Sequence, residues 1–153
     1  MKLAKLVILF MILNFGGLAM GSWLMNNGPT SPWYTSLHQA PWTPPGWAFG
    51  VAWTLIMLCF SVYLGFLFLR QNDLKLRITY AIQLLLNVSW NYLFFNQHLV
   101  SWAFLNILLL TAVVFHFYFK YKLHSQKLNY LLVPYMGWLC IASSLNLYIL
   151  IYN

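Results

Sequence analysis

The sequence predicts an all-α membrane protein: a bundle of five transmembrane helices with a Pro/Trp-rich outer loop between helices 1 and 2. Three observations carry that prediction. Apolar residues make up 62% of the chain and charged residues 6%, with a mean hydropathy of +0.71, whereas soluble domains carry roughly 25% charged residues. Charges, prolines and turn residues cut the chain into five apolar spans, each near the ~17 to 25 residues that cross a bilayer. Finally, every Lys and Arg falls at alternate span boundaries, as a chain crossing back and forth requires.

The first span, 6–25, follows Lys2 and Lys5. Small residues at Ala19, Gly21 and Ser22 give it some likeness to a secretory signal, but its apolar run exceeds the roughly 7 to 15 residues of a signal core. It is therefore read as a retained first helix. Residues 33–53 then carry four tryptophans and three prolines without a charge. Pro41, Pro44 and Pro45 forbid a regular helix until the Pro45 ring, whose fixed φ suits a first helical turn, can start one. Trp33, Trp42 and Trp47 are thus displayed by a stiff loop and a helix start, and Trp53 lies one to two turns into the second span, 46–69.

The third span, 78–96, sets Gln83, Asn87 and Asn91 at i, i+4 and i+8 on one side, with Trp90 beside them. Amides in hydrocarbon need partners. They face the bundle interior, toward Asn14, Asn106 or Asn146, either as interhelical glue or as hydrogen-bonding groups in a ligand cavity. After the fourth span, 102–119, the fifth, 128–151, repeats Tyr135, Trp138, Ala142, Leu145 and Asn146 at helical spacing. A small residue one turn beyond a large aromatic makes a recess, although an ordinary packed face gives the same pattern. Gly17-x-x-x-Gly21 and Gly46-x-x-x-Gly50 would let helices approach closely. One domain, 1–153, without an extramembrane module or tandem repeat, is the expected organisation.

Lys2 and Lys5, then Arg70, Lys75 and Arg77, then Lys120, Lys122 and Lys127 account for all basic residues, and they share one side. The positive-inside rule places the N-terminus in the cytoplasm and the C-terminus outside. The net charge of +7 marks a cytoplasmic face that attracts anionic headgroups. Nucleic acid is not an expected partner. Asp73 is the single acidic residue and is read as a solvated loop charge. A carboxylate pair is absent, which excludes two-carboxylate hydrolysis and an acidic proton relay. Cys59 and Cys140 read as small buried residues, and His38, His98, His116 and His124 as loop or interfacial residues. No metal site is expected.

The run Trp33-Tyr34, Pro41-Trp42-Thr43-Pro44-Pro45 and Trp53 resembles the signature of the translocator protein family, the tryptophan-rich sensory proteins, in its bacterial type. Gln83-x-x-x-Asn87-x-x-Trp90-x-x-x-Phe94-Phe95 resembles the family's third helix, and Leu132-Val133-Pro134-Tyr135-x-x-Trp138-x-x-x-Ala142-x-x-Leu145-Asn146 its fifth. The resemblance implies a receptor or sensor in the bacterial inner membrane. Its implied ligand is a tetrapyrrole of the protoporphyrin IX kind, or a similar flat apolar molecule, with no obligatory cofactor. The implied ligand-binding residues are Trp33, Tyr34, Pro41, Trp42, Pro44, Trp53, Gln83, Asn87, Trp90, Tyr135, Trp138, Ala142 and Leu145. It leaves two other readings open: light- and oxygen-dependent porphyrin degradation with Trp53 and Trp138 as redox-active residues, and small-molecule transport. It also implies a homodimer through the third helix, although Ala81 is followed four residues on by Leu85 rather than a small residue. Asn106 stands where many members carry Asp, the Tyr expected after the second-helix Trp is missing, and Tyr148 and Tyr152 lack the basic residue of the animal sterol segment.

Overall fold

The structure is a computed structural model that describes residues 2–123 and 125–153; His124, read from the sequence as a loop or interfacial residue, lies outside them. All regular elements among these residues are helical. They are α1 Leu3–Leu24, α2 Pro32–Ser36, α3 Gly46–Arg70, α4 Leu74–Asn91, α5 Val100–Lys120, α6 Gln126–Asn129 and α7 Val133–Tyr152. Four helical stretches, Leu3–Thr30, Gly46–Arg70, Val100–Lys120 and Gln126–Tyr152, are long and apolar enough to cross a membrane. Helix α4 is more polar, because it carries Lys75, Arg77 and the three amides. Its 18 residues rise about 27 Å, and a wide π-type turn, Tyr92–Asn96, extends it.

Local chemistry fixes the helix ends. Asp73 is the N-cap of α4, its Oδ1 accepting the Leu76 N–H at 2.7 Å, so the expected solvated charge is a structural cap and the helix starts at Leu74 rather than 78. Ser31 caps α2 by accepting the Tyr34 N–H at 3.2 Å, with Pro32 at its first position, which puts a helical turn inside the outer loop. Helix α7 starts at Val133 rather than 128, after α6 and a tight turn at Tyr130–Leu132.

Helix α1 packs on α3 and α4, α5 packs on α4 and α7, and α3 meets α7 to close the ring. Between apolar helices in lipid, association rests on close packing and buried hydrogen bonds. Gly17 and Gly21 provide the first: a Cβ on Gly17 would lie 2.7 Å from Leu84 Cδ1, and one on Gly21 2.6 Å from Asn91 Nδ2. Gly65, which the spacing argument did not single out, lets α3 reach α1, since its Cβ would lie 2.5 Å from Val7 Cγ2 and 3.3 Å from the Val7 nitrogen. By contrast Gly46 and Gly50 meet nothing within 4 Å. Asn14 supplies hydrogen bonds to two neighbours, donating to Ser61 Oγ at 2.9 Å and accepting from the Tyr80 hydroxyl at 2.9 Å. An aromatic core of Phe60, Tyr63, Phe117 and Tyr135 is wholly buried in the middle of the ring.

All the basic residues lie at one end of the ring: Val7 of α1 packs against Gly65 near the end of α3, and the Arg70 guanidinium donates to the Lys122 carbonyl oxygen at 2.9 Å. The most exposed tryptophans, Trp23 at 80%, Trp47 at 73% and Trp102 at 63%, lie at the opposite helix ends. That is the placement of an interfacial aromatic belt.

Candidate functional site

Toward the tryptophan end the ring encloses a cavity of about 350 Å³. Helix α3 contributes Phe49 and Trp53 to its wall, α4 Asn87 and Trp90, α5 Ile107 and Leu110, and α7 Trp138 and Ala142; Tyr34, Thr43 and Pro44 of the outer loop cover it. Trp138 and Ala142, the pair expected to form a recess on α7, both line this cavity. The Phe49 ring meets Trp138 edge-on, centroids 5.2 Å apart, and spans from α3 to α7. Trp53 meets Tyr135 edge-on at 6.0 Å, so the cavity wall rests directly on the buried core.

Seven residues of the expected set line this space: Tyr34, Pro44, Trp53, Asn87, Trp90, Trp138 and Ala142. The other six do not. Gln83 is buried and donates its Nε2–H to Tyr135 Oη at 2.8 Å, which ties α4 to α7 below the cavity. Leu145 is buried in the helix packing. Trp33 stacks on His98 with centroids 4.0 Å apart, Trp42 donates its indole N–H to Ser144 Oγ at 3.1 Å, and Pro41 is exposed. Trp33 and Trp42 thus fasten the loop. Phe49, Phe95, Ile107, Leu110 and Asn91 line the cavity without having been in that set. Asn91 had a signal, its i+8 spacing from Gln83; the others were apolar residues among many.

The amides of α4, α5 and α7 are divided between helix packing and the cavity wall. Asn106 donates to Ser89 Oγ at 2.8 Å, and Asn146 Oδ1 accepts the Trp90 indole N–H at 3.1 Å. Asn87 is only 6% exposed, yet its side chain makes no hydrogen bond among the described residues. An amide left without a protein partner at a cavity wall is free to bind a ligand. Burial raises the Tyr34 phenol above its ordinary value.

The lid is held at several points. Asn153 Oδ1 accepts the His38 N–H at 2.8 Å and its Nδ2–H donates to the His38 carbonyl at 3.2 Å. Trp42 also meets Tyr148 edge-on at 5.4 Å. Among the described residues no cluster of three or more His, Cys, Asp or Glu could hold a metal ion.

Fold and site together define an all-helical integral membrane protein with an aromatic-walled cavity beneath a fastened loop. Residues 7–152 match the model of the TspO/MBR family, and the chain belongs to that family. It is 35% identical over 132 residues to the tryptophan-rich protein TspO of Archaeoglobus fulgidus, covering 79% of this chain and 80% of that one. It is similar to the TspO of Chlorobaculum tepidum, at 31% identity over 129 residues and 82% of each chain. The translocator protein of Ovis aries is 32% identical over 120 residues, 74% of this chain and 70% of that one.

Proposed function

We propose that this protein is a membrane receptor that binds tetrapyrroles such as protoporphyrin IX, and similar flat apolar molecules, in the cavity between Trp53 and Trp138. The observation that carries this reading is the combination of aromatic walls with amides on the cavity wall, Asn87 foremost, whose side chains make no hydrogen bond among the described residues. Flat aromatic walls reward a planar ligand by burying its faces, at about 25 cal/mol per Å² of apolar surface, and by edge or stacking contacts. One amide and the Tyr34 hydroxyl then set its orientation. The volume of about 350 Å³ is at the low end of the roughly 300 to 1,000 Å³ of drug-sized sites, so the macrocycle enters with its carboxylate edge left toward the lid and water.

In this reading five helices cross the membrane, α4 with its π-type turn being the one whose polar residues face inward. The basic end is cytoplasmic, the lid lies outside, and the membrane is the bacterial inner membrane. Protoporphyrin titrated into the reconstituted protein in the dark should saturate and quench tryptophan fluorescence, and Trp53→Phe with Trp138→Phe should weaken it. Absence of saturable binding overturns the receptor. Bound porphyrin that bleaches under light in the parent but persists in the double variant replaces the receptor with a photo-oxidative enzyme.

A further inference from the structure

The basic end of the molecule holds a charge cluster that the cavity does not use. Helices α3 and α5 end side by side there, because the buried Tyr63 hydroxyl donates to the Tyr121 carbonyl at 2.8 Å and the Phe117 carbonyl at 3.2 Å. About two turns further along α3, Arg70 donates to the Lys122 carbonyl at 2.9 Å. Two fastenings thus bring Arg70, Lys120 and Lys122 together although about fifty residues separate them in the chain. Arg70 spends one of its five N–H donors on that carbonyl, and Lys120 places its ammonium 5.7 Å over the Tyr121 ring.

No ion pair within the protein is formed by this cluster among the described residues. Asp73 is the single acidic residue, and one of its oxygens is committed to the cap of α4. Beside the cations the surface is apolar and open: Leu69 is 49% and Phe119 63% exposed. Cations bordering exposed apolar side chains at the foot of membrane helices match an amphiphile whose head is anionic and whose tails lie along the helices.

We propose that Arg70, Lys120 and Lys122 form a binding site for the phosphate headgroup of an anionic phospholipid, with its acyl chains against Leu69 and Phe119. Arg70 offers paired N–H donors to the phosphate, and the two lysines add charge. The site is independent of the ligand cavity at the other end of the bundle.

The test uses the full chain reconstituted in equimolar phosphatidylcholine and phosphatidylglycerol, with the lipids that co-purify quantified by mass spectrometry. The parent should carry about fivefold more phosphatidylglycerol than the bulk ratio. Replacing Lys120 and Lys122 by Gln, side chains that make no hydrogen bond among the described residues, should return it near the bulk ratio. Arg70→Gln should do the same, and if that variant does not insert, the lysine pair decides alone. Lys2→Gln with Lys5→Gln, at the same end but on α1, should leave the enrichment unchanged. A parent at the bulk ratio overturns the site, as does an equal loss in the Lys2 and Lys5 variant, which means diffuse attraction. Release of the phosphatidylglycerol by millimolar inorganic phosphate also overturns it, because the acyl chains then contribute nothing.

Discussion

The amide of Asn87 and that of Gln83, one helical turn apart, have opposite roles for a physical reason that single substitutions will expose. Gln83 is bonded to Tyr135 Oη, whereas Asn87 has no side-chain hydrogen bond among the described residues. Asn87→Leu removes an amide that makes no hydrogen bond among the described residues, so resistance to unfolding in a denaturing detergent should hold or rise. Its protoporphyrin affinity should drop by about 1 kcal/mol. Gln83→Leu strands the Tyr135 hydroxyl in the core and should cost about 1 kcal/mol of stability, with affinity changed less. An affinity unaffected in Asn87→Leu would remove the amide from the site. Trp53→Phe or Trp138→Phe keeps most of the aromatic face and should weaken binding by about 1 kcal/mol each, read by fluorescence titration. Trp42→Phe, which breaks the bond to Ser144, should act through loop mobility rather than contact, raising hydrogen exchange across residues 38–45.

At the scale of elements, the lid and the α1 to α3 contact give the sharpest expectations. Pro44 and Pro45 restrict the loop before any ligand arrives, and replacing both by Ala should cost about 0.4 to 1 kcal/mol of pre-organisation for each. Binding then weakens while helix content by circular dichroism stays the same. Asn153→Ala cuts both bonds to the His38 backbone and should speed exchange of the His38 amide. Gly65→Ala should destabilise the bundle by about 1 to 3 kcal/mol, since the Val7 backbone nitrogen at 3.3 Å leaves the helices no choice but to part. Gly50→Ala, where the added Cβ meets nothing, is the control and should be neutral in the same unfolding assay. Of the two small-residue patterns only Gly17-x-x-x-Gly21 serves packing within the chain, a distinction that spacing alone does not contain.

For the whole molecule, the basic residues gathered at one end and exposed tryptophans at the other predict which side each loop faces. In a background lacking Cys59 and Cys140, a cysteine at Gln71 should label only from the cytoplasmic side and one at Gln97 only from the outside. The reverse pattern inverts the topology, and labelling of both from one side removes the crossing by α4, the helix between the two positions.

The sequence by itself determined that the chain lives in a bilayer, where its long helices run, which end is basic, and that aromatic residues and prolines crowd one loop. Those properties are local or additive: hydropathy sums over a window, proline fixes its own φ, and a charge stays outside hydrocarbon wherever the helix goes. Even α2, missed as a helix, was written locally in Ser31 and Pro32. Which of the Trp, Tyr and amide residues share a cavity was decided only in the tertiary structure. Trp33 and Trp42 read like Trp53 and Trp138 along the chain, but the first pair fastens the loop to His98 and Ser144 and the second walls the cavity. Gln83 and Asn87 lie on one helical face, yet the depth at which Tyr135 meets α4 separates an amide bonded between helices from one on the cavity wall. Such differences depend on the rotation and height of one helix against another, set by close contacts like Gly65 on Val7, and no property of a single helix encodes them.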